Sequence, residues 1–208
     1  MNKIIFATGN KDKMREIREI MADLDVEILS MKEAGIDVDI VEDGSTFEEN
    51  ATIKATTIAK YTDAIVLADD SGLEVDYMNK EPGVYSARWM GEDTSYDIKN
   101  QAILDKLDGV EKEKRTARFV CAIAAALPDG NVIVSRQAME GYIGLKAEGE
   151  NGFGYDPIFY PVGFECSSAA LSPEEKNAIS HRGKALRDMK NKLQKYFYQN
   201  LKKWLTFL

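Results

Sequence analysis

The first third of the chain combines short apolar runs with one stretch of helical spacing. Residues 3–7 form an apolar run that ends in a Thr-Gly-Asn turn, after which Met14 and Ile17 begin a helix-spaced apolar pattern. A second apolar run covers 26–29, and the segment 31–45 is acidic and rich in turn formers. This order predicts a strand, a helix, a second strand and a long acidic loop.

The next segment predicts a capped helix followed by two strands. Thr46 and Glu49 have the spacing of a capping box, which predicts a helix from there to about residue 62. The apolar run 64–68 predicts a buried strand that ends in an Asp-Asp-Ser-Gly turn. Alternating apolar and acidic residues over 73–77 predict a second, half-exposed strand.

The second half of the chain predicts a hairpin between helical segments. Helical spacing covers 95–107, and Ser172, followed by a proline and two glutamates, predicts the start of another helix. A long C-terminal helix is expected after Gly183. Because hairpin-connected strands are antiparallel, the whole order predicts one α/β domain, residues 1–208, with a mixed sheet flanked by helices. The strands of this half are expected over 115–127, 132–135 and 138–145.

Composition narrows the class of protein. The chain has 208 residues, 44% of them apolar, and a net charge of −8. Such an acidic chain is a poor general binder of nucleic acid, because that role requires the neutralisation of many phosphates. The two cysteines, Cys121 and Cys166, form no CxxC motif, and no apolar stretch is long enough for a membrane span. We therefore expect a cytoplasmic protein that binds neither nucleic acid nor membrane.

The turn after the first predicted strand has the chemistry of a phosphate site. A strand that ends in a glycine turn before a helix directs backbone N–H groups toward one point. Thr8, Gly9 and Asn10 form this turn, and Lys13 adds a positive charge. The segment matches neither of the two commonest phosphate-loop motifs. The structural alternative is that Asn10 only caps the helix and Gly9 only serves the turn.

The adjacent acids Asp69 and Asp70 suggest a metal site. Two neighbouring carboxylates at the end of a buried strand repel each other, and a divalent cation would offset that cost. With Glu42 or Asp43 from the acidic loop they would suit Mg²⁺, and a carboxylate beside a bound phosphate could orient or deprotonate water. The alternative is an Asx turn with solvated acids.

Two later segments could bind ligand groups, one as a stacking platform for a base and the other as a set of donors for an acceptor-rich ligand. Phe153 lies between two glycines, which allows a tight backbone around an exposed ring, although a hairpin corner with this ring in the core is equally consistent. Lys176 and Ser180 are spaced i, i+4, and His181 and Arg182 follow them. His181 is the single histidine of the chain and by itself is more typical of a structural role.

Taken together, these segments resemble the inosine/xanthosine triphosphate pyrophosphatase family. The resemblance rests on six blocks in family order that span most of the chain. They are ATGNKDK (7–13), TFEENATIKA (46–55), ADDSGLEVD (68–76), PGVYSARW (82–89), NGFGYDPIF (151–159) and SPEEKNAISHRGKAL (172–186).

The resemblance implies an elongated two-lobed α/β domain, usually a homodimer, that hydrolyses dITP, ITP and XTP to the monophosphate and pyrophosphate. It implies Asp70 as proton acceptor, Glu42 and Asp70 as Mg²⁺ ligands, and a less direct metal role for Asp69. It also implies a set of substrate contacts at the phosphate turn, the strand end and the base pocket. These are Thr8, Gly9, Asn10, Lys13, Lys54, Ser71, Phe153, Gly154, Tyr155, Asp156, Lys176, His181 and Arg182.

Two alternatives and one departure accompany this interpretation. The chain could act on modified pyrimidine or other nucleotides, or it could bind nucleotides without hydrolysis. The adjacent acids argue against pure binding, because an anion binder would avoid carboxylates near phosphate. The tail 196–208 extends past the usual family end, and we expect it to be a C-terminal helical extension packed on its own subunit.

Overall fold

The computed structural model describes residues 2–23 and 26–205. The strands are β1 (Asn2–Phe6), β2 (Val26–Ser30), β3 (Ile65–Val75), β4 (Thr116–Ala126), β5 (Val132–Ile143) and β6 (Phe159–Pro161). The α-helices are α1 (Lys11–Ile20), α2 (Phe47–Ala59), α3 (Tyr96–Lys106), α4 (Pro173–Ile179) and α5 (His181–Leu205).

The strands form one mixed six-stranded sheet in the order β2-β1-β3-β4-β5-β6. β1 runs parallel to β2 and β3, and the pairs from β3 to β6 are antiparallel. The predictions of a mixed sheet and of a hairpin at β4–β5 are therefore confirmed. The three longest strands, β3, β4 and β5, have 11, 11 and 12 residues and pair with one another in the middle of the sheet.

Helices cover both faces of the sheet because residues along β3 alternate between them. Ile65 and Leu67 pack in a core with α1 and α5, whereas Val66 and Ala68 pack in a second core with α2. A third core, at the far end of β3–β5, includes Ile103 from α3. The three cores lie on one continuous sheet, which gives the expected α/β fold.

Local sequence explains where the helices begin. In α2 the capping box is formed: Thr46 Oγ1 accepts from the Glu49 N–H at 3.1 Å, and the Glu49 carboxylate accepts from the Thr46 N–H. Ser172 and Glu175 form the same motif at α4. The apolar face of α2 has one residue per turn buried against the sheet, namely Phe47, Ala51, Ala55 and Ile58.

Three predictions about the strands were wrong. β3 continues without a turn from Ile65 to Val75, so the acids at 69 and 70 lie inside a strand rather than at its end. Its last part is buried rather than half-exposed, because the third core covers Leu73 and Val75. The segments expected at 132–135 and 138–145 form the single strand β5.

The C-terminal region differs from the expectation at one point. The helix break lies at Ser180, and α5 begins at His181, so Gly183 is helical. Ser180 Oγ accepts from the Gly183 N–H at 2.9 Å, which caps the new helix. α5 continues unbroken to Leu205, while 206–208 of the predicted extension lie outside the described residues. Within the described ranges, no helix is long and apolar enough to cross a membrane.

Candidate active site

A cavity of about 430 Å³ opens between the turn after β1, the middle of β3 and the loop before β6. The predicted phosphate, strand and base residues all line it, and so does Glu42 from the acidic loop. Asp70 is instead 7% exposed and hydrogen-bonded to the lining residue Lys54. Segments as distant in sequence as the first turn and α5 thus meet at one site.

The turn after β1 is built as predicted. Asn10 Oδ1 accepts from the N–H groups of Asp12 and Lys13 at 2.9 and 3.1 Å, so Asn10 is the N-cap of α1. Its own N–H donates to Thr8 Oγ1 at 3.2 Å. A Cβ at Gly9 would meet nothing within 4 Å, so the turn is open there. The turn that caps α1 therefore also forms part of the cavity wall.

Asp69 forms ion pairs with a cation from α1 and a cation from α5. Its carboxylate accepts from Lys13 Nζ on α1 at 3.1–3.2 Å and from Arg182 Nε on α5 at 3.4 Å. Burial alone would raise the pKa of Asp69, but the charges of Lys13 and Arg182 outweigh it and hold the pKa well below its usual value. Asp69 is therefore the shared ion-pair partner of Lys13 and Arg182.

Asp70 points to the opposite face of β3, toward α2. Its carboxylate accepts from Asn50 Nδ2 at 3.2 Å and from Lys54 Nζ at 3.3 Å. Burial raises the pKa of Asp70, and the Lys54 ammonium offsets only part of that rise. Lys54 itself has a raised pKa, because Asp70, Asp69 and Glu42 outweigh the effect of its burial.

Glu42 and Asp70 lie close enough to share one cation. The Lys54 ammonium contacts Glu42 Oε2 at 2.9 Å and Asp70 Oδ1 at 3.3 Å. Carboxylate oxygens are the hard ligands that Mg²⁺ prefers, so Glu42 and Asp70 could hold such an ion. Asp43 does not line the cavity. Across 2–23 and 26–205, no group of three His, Cys, Asp or Glu residues is arranged to hold a metal by itself.

The loop before β6 is held by Asp156 from within. Asp156 is 3% exposed, and its carboxylate accepts from the Phe153 N–H at 2.8 Å, from Ser168 Oγ at 2.9 Å and from Lys176 Nζ at 2.6 Å. Gly152 has a φ of +76°, and a Cβ there would come within 2.3 Å of the same carboxylate. Asp156 therefore shapes the loop, although it was predicted as a substrate contact.

Cations from α4 and α5 lie over the half-buried Phe153 ring of this loop. Lys176 Nζ and Arg182 Cζ are 5.1 and 5.6 Å from the centroid of the Phe153 ring. Both cations also bind Glu16 of α1, Lys176 at 3.3 Å. Burial raises the pKa of Glu16, but Arg182 and Lys176 outweigh it, so the net pKa is lowered. The ring lies near the predicted donors, but it is half-buried rather than exposed as predicted.

His181 is a buried, stacked imidazole. Its ring lies 4.9 Å from the ring of Phe119 at an interplanar angle of 12°. Burial, reinforced by the charges of Arg182 and Lys176, lowers the pKa of His181 well below its usual value. Its Nδ1 is buried and has no hydrogen-bond partner within the described part of the chain.

Sequence reasoning missed several residues of this site. Glu16 was detectable, because it is an acid on the buried face of α1 next to Met14 and Ile17. Asn50 belongs to the block 46–55 and was not singled out. Ser86 lines the cavity and belongs to the block 82–89, but it was not singled out. Tyr96 lines the cavity too, and no local pattern marks it.

Comparison with known proteins agrees with this geometry. The family model of the Ham1 family matches residues 4–192. The chain belongs to the Ham1 family. The matched range contains every residue of the site described above, from the phosphate turn to Arg182.

Relatives within the Ham1 family match over nearly their full length. The dITP/XTP pyrophosphatase of Clostridium perfringens is 46% identical over 200 residues, which cover 93% of this chain and 98% of that protein. The Caldanaerobacter subterraneus protein of the same name is 46% identical over 201 residues, 96% of this chain and 100% of that one.

Solved Ham1 structures have the same fold. A HAM1 protein from Coxiella burnetii superposes with a TM-score of 0.85 at 40% identity, covering 94% of this chain and 100% of that chain. The Staphylococcus aureus Ham1 protein gives a TM-score of 0.84 at 40% identity with the same coverage. The expected family fold is confirmed.

Proposed function

We propose that this protein hydrolyses deaminated purine nucleoside triphosphates, namely dITP, ITP and XTP or dXTP, to the monophosphate and pyrophosphate. One observation carries the proposal: a single cavity is lined by the lysine-flanked N-terminus of α1, by Lys54 paired with the buried Asp70 carboxylate, and by an aromatic loop under two cations. The first suits a triphosphate, the second water activation, and the third a purine base. The names of the Ham1 relatives support the same substrate class.

The phosphate tail is bound at the first of these features. Thr8, Asn10 and the turn backbone accommodate phosphate oxygens at the N-terminus of α1. Lys13 and Lys54 add positive charge from α1 and α2, both within ion-pair distance of a carboxylate. A nucleoside triphosphate carries several negative charges, so attack by water requires their neutralisation.

Asp70 is the proton acceptor of the proposed reaction. Water attacks the α-phosphorus, its proton passes to the Asp70 carboxylate, and pyrophosphate leaves. Burial raises the pKa of Asp70, which makes its carboxylate a better base than an exposed aspartate. Glu42 and Asp70 would hold Mg²⁺, which supplies positive charge at the phosphate oxygens. Asn50 and Lys54 fix the orientation of the Asp70 carboxylate.

Base selection is assigned to the donors around Phe153. The purine stacks on the Phe153 ring, with the Gly154–Tyr155 backbone beside it. Hypoxanthine and xanthine present a 6-oxo acceptor that donors from Lys176, His181 or Arg182 satisfy. Adenine presents a 6-amino donor there, so a buried donor would face a donor, and such mismatches can cost a factor of about 10⁴.

A pyrophosphate-release screen with Mg²⁺ tests the function. The panel contains the eight standard triphosphates, dITP, ITP and XTP, and several modified pyrimidine triphosphates. We expect dITP, ITP and XTP to give the highest kcat/KM. Preferred turnover of a modified pyrimidine would support the alternative nucleotide pyrophosphatase, and binding without pyrophosphate release would support a nucleotide sensor.

The remaining expectations concern the oligomeric state, the cellular location and the C-terminal extension. We propose a homodimer in the cytoplasm and a helical extension from 196 onward that packs on its own subunit. Sedimentation equilibrium of the full chain and of a chain ending at residue 195 would test the dimer and the extension together. A monomer in both cases would contradict the homodimer.

A further inference from the structure

Helix α3 contributes a wall to the cavity that the proposed reaction does not use. Tyr96, the first residue of this helix, lines the cavity and is 36% exposed. Ser95 caps the helix at this point, which fixes where the first turn begins. The Tyr96 ring is therefore held in place on a regular element and still has surface available to a ligand.

Contacts with the base loop place Tyr96 at the nucleoside end. Its ring centroid lies 5.2 Å from that of Tyr155, with the planes at 90°. A Cβ built on Gly154 would lie 3.6 Å from Tyr96 Cε1, an ordinary van der Waals distance. One turn further along α3, Asn100 Nδ2 donates to the Gly154 carbonyl at 3.1 Å. Two residues of α3, Tyr96 and Asn100, therefore contact the base loop at Gly154.

A cation also lies over this ring. Lys99 Nζ is 5.1 Å from the Tyr96 centroid and donates to the Ala87 carbonyl at 2.6 Å. This lysine is 1% exposed, so it supports the ring from the protein side and does not reach the substrate. The exposed part of Tyr96 is what remains for contact with a ligand in the cavity.

We propose that the Tyr96 ring packs against the nucleoside part of the substrate, as a second aromatic surface beside Phe153. The inference rests on the proposed function and adds a specificity-determining residue to it. Its chemistry is apolar contact with a base or sugar, which every nucleotide offers and a bare phosphate chain lacks. The ring, rather than the hydroxyl, is the group that matters.

The test separates nucleoside binding from phosphate binding. The variants are Tyr96→Ala and Tyr96→Phe, and the readouts are kcat and KM for ITP and the inhibition constant of inorganic tripolyphosphate. Tyr96→Ala is expected to raise KM about tenfold, with kcat changed less than about twofold and the tripolyphosphate constant unchanged. Tyr96→Phe should match the wild type. Tyr61→Ala removes a tyrosine that is 59% exposed and outside the cavity, and serves as the matched control.

Two results would overturn the inference. One is an unchanged KM for ITP in Tyr96→Ala, and the other is a parallel rise in KM and in the tripolyphosphate constant, which would indicate general damage to the cavity. Both leave the proposed function standing, because the wild type would still release pyrophosphate from ITP. Failure of the wild type to do so would overturn the proposed function and this inference with it.

Discussion

Asp69 and Asp70 are neighbours in sequence but face opposite sides of β3 and bind different cations. Asp69 pairs with Lys13 and Arg182 on the side of α1 and α5, whereas Asp70 pairs with Lys54 on the side of α2. Strand alternation is the cause. The two carboxylates therefore have opposite pKa shifts, and their substitutions are expected to have different consequences.

Asp70→Asn should abolish most activity and leave the fold intact. The amide cannot accept a proton from water, and general-base catalysis typically contributes a factor of about 10²–10⁴. Because burial already disfavours the ionised form of Asp70, a neutral isostere is compatible with its surroundings. Measurement of kcat for pyrophosphate release from ITP, with a thermal melt, checks both parts.

The control for this substitution is Asp63→Asn, an exposed aspartate two residues before β3. It should have wild-type kcat and melting temperature. Near-wild-type turnover by Asp70→Asn would exclude Asp70 as the base.

Asp69→Asn should lower stability instead. The substitution leaves Lys13 and the buried Arg182 without their shared counter-charge, and breaking a buried pair costs about 3 kcal/mol or more. Urea denaturation of both aspartate variants checks the difference. Equal free energies of unfolding for the two would contradict the assignment of Asp69 as an ion-pair partner.

Acid should destabilise the protein through Asp69 and Glu16. Their folded-state pKa values are lowered from 3.8 and 4.5, because their cationic partners outweigh burial. The resulting stabilisation is complete above those unfolded-state values and is lost as the pH falls through the folded-state ones. Urea denaturation over a pH series checks this. The free energy of unfolding should fall less on acidification in Asp69→Asn and in Glu16→Gln than in the wild type.

Lys54→Met should shift the pH–rate profile. The Lys54 ammonium lowers the pKa of Asp70, so its removal raises that pKa further. Because the base must be ionised, the acid limb of kcat/KM for ITP should move to higher pH, measured at constant Mg²⁺. Lys60→Met, at the exposed end of the same helix, should leave the limb in place. A shift toward lower pH would contradict the assigned roles.

His181→Ala should narrow the preference for ITP over ATP by about tenfold or more, since it removes a donor from the base end. The ratio of the two kcat/KM values measures it. In the wild type this ratio should be constant between about pH 6 and 8, because the pKa of His181 lies well below its usual value. An unchanged ratio in both His181→Ala and Arg182→Ala would exclude base recognition by this pair.

The sequence identified most of the site because the chemistry lies in short motifs. The turn 8–10 and the capping boxes at Thr46 and Ser172 depend on local hydrogen bonds, and these formed as predicted. The family blocks also supplied the base loop and its cationic partners. The continuity of β3 was missed, because acids and a glycine are typical of a turn, whereas here Lys13, Lys54 and Arg182 compensate the buried charges.

Local sequence by itself determined the helices, most strand positions and the residue types that can bind a triphosphate, because caps, periodicity and turn chemistry act over a few residues. Tertiary structure decided which carboxylate faces which cation, and it brought Tyr96 to the cavity and Glu16 to Lys176 and Arg182. Those relationships join α1, α3 and α5 across as many as 166 residues. They depend on strand register and helix packing, which no local pattern encodes.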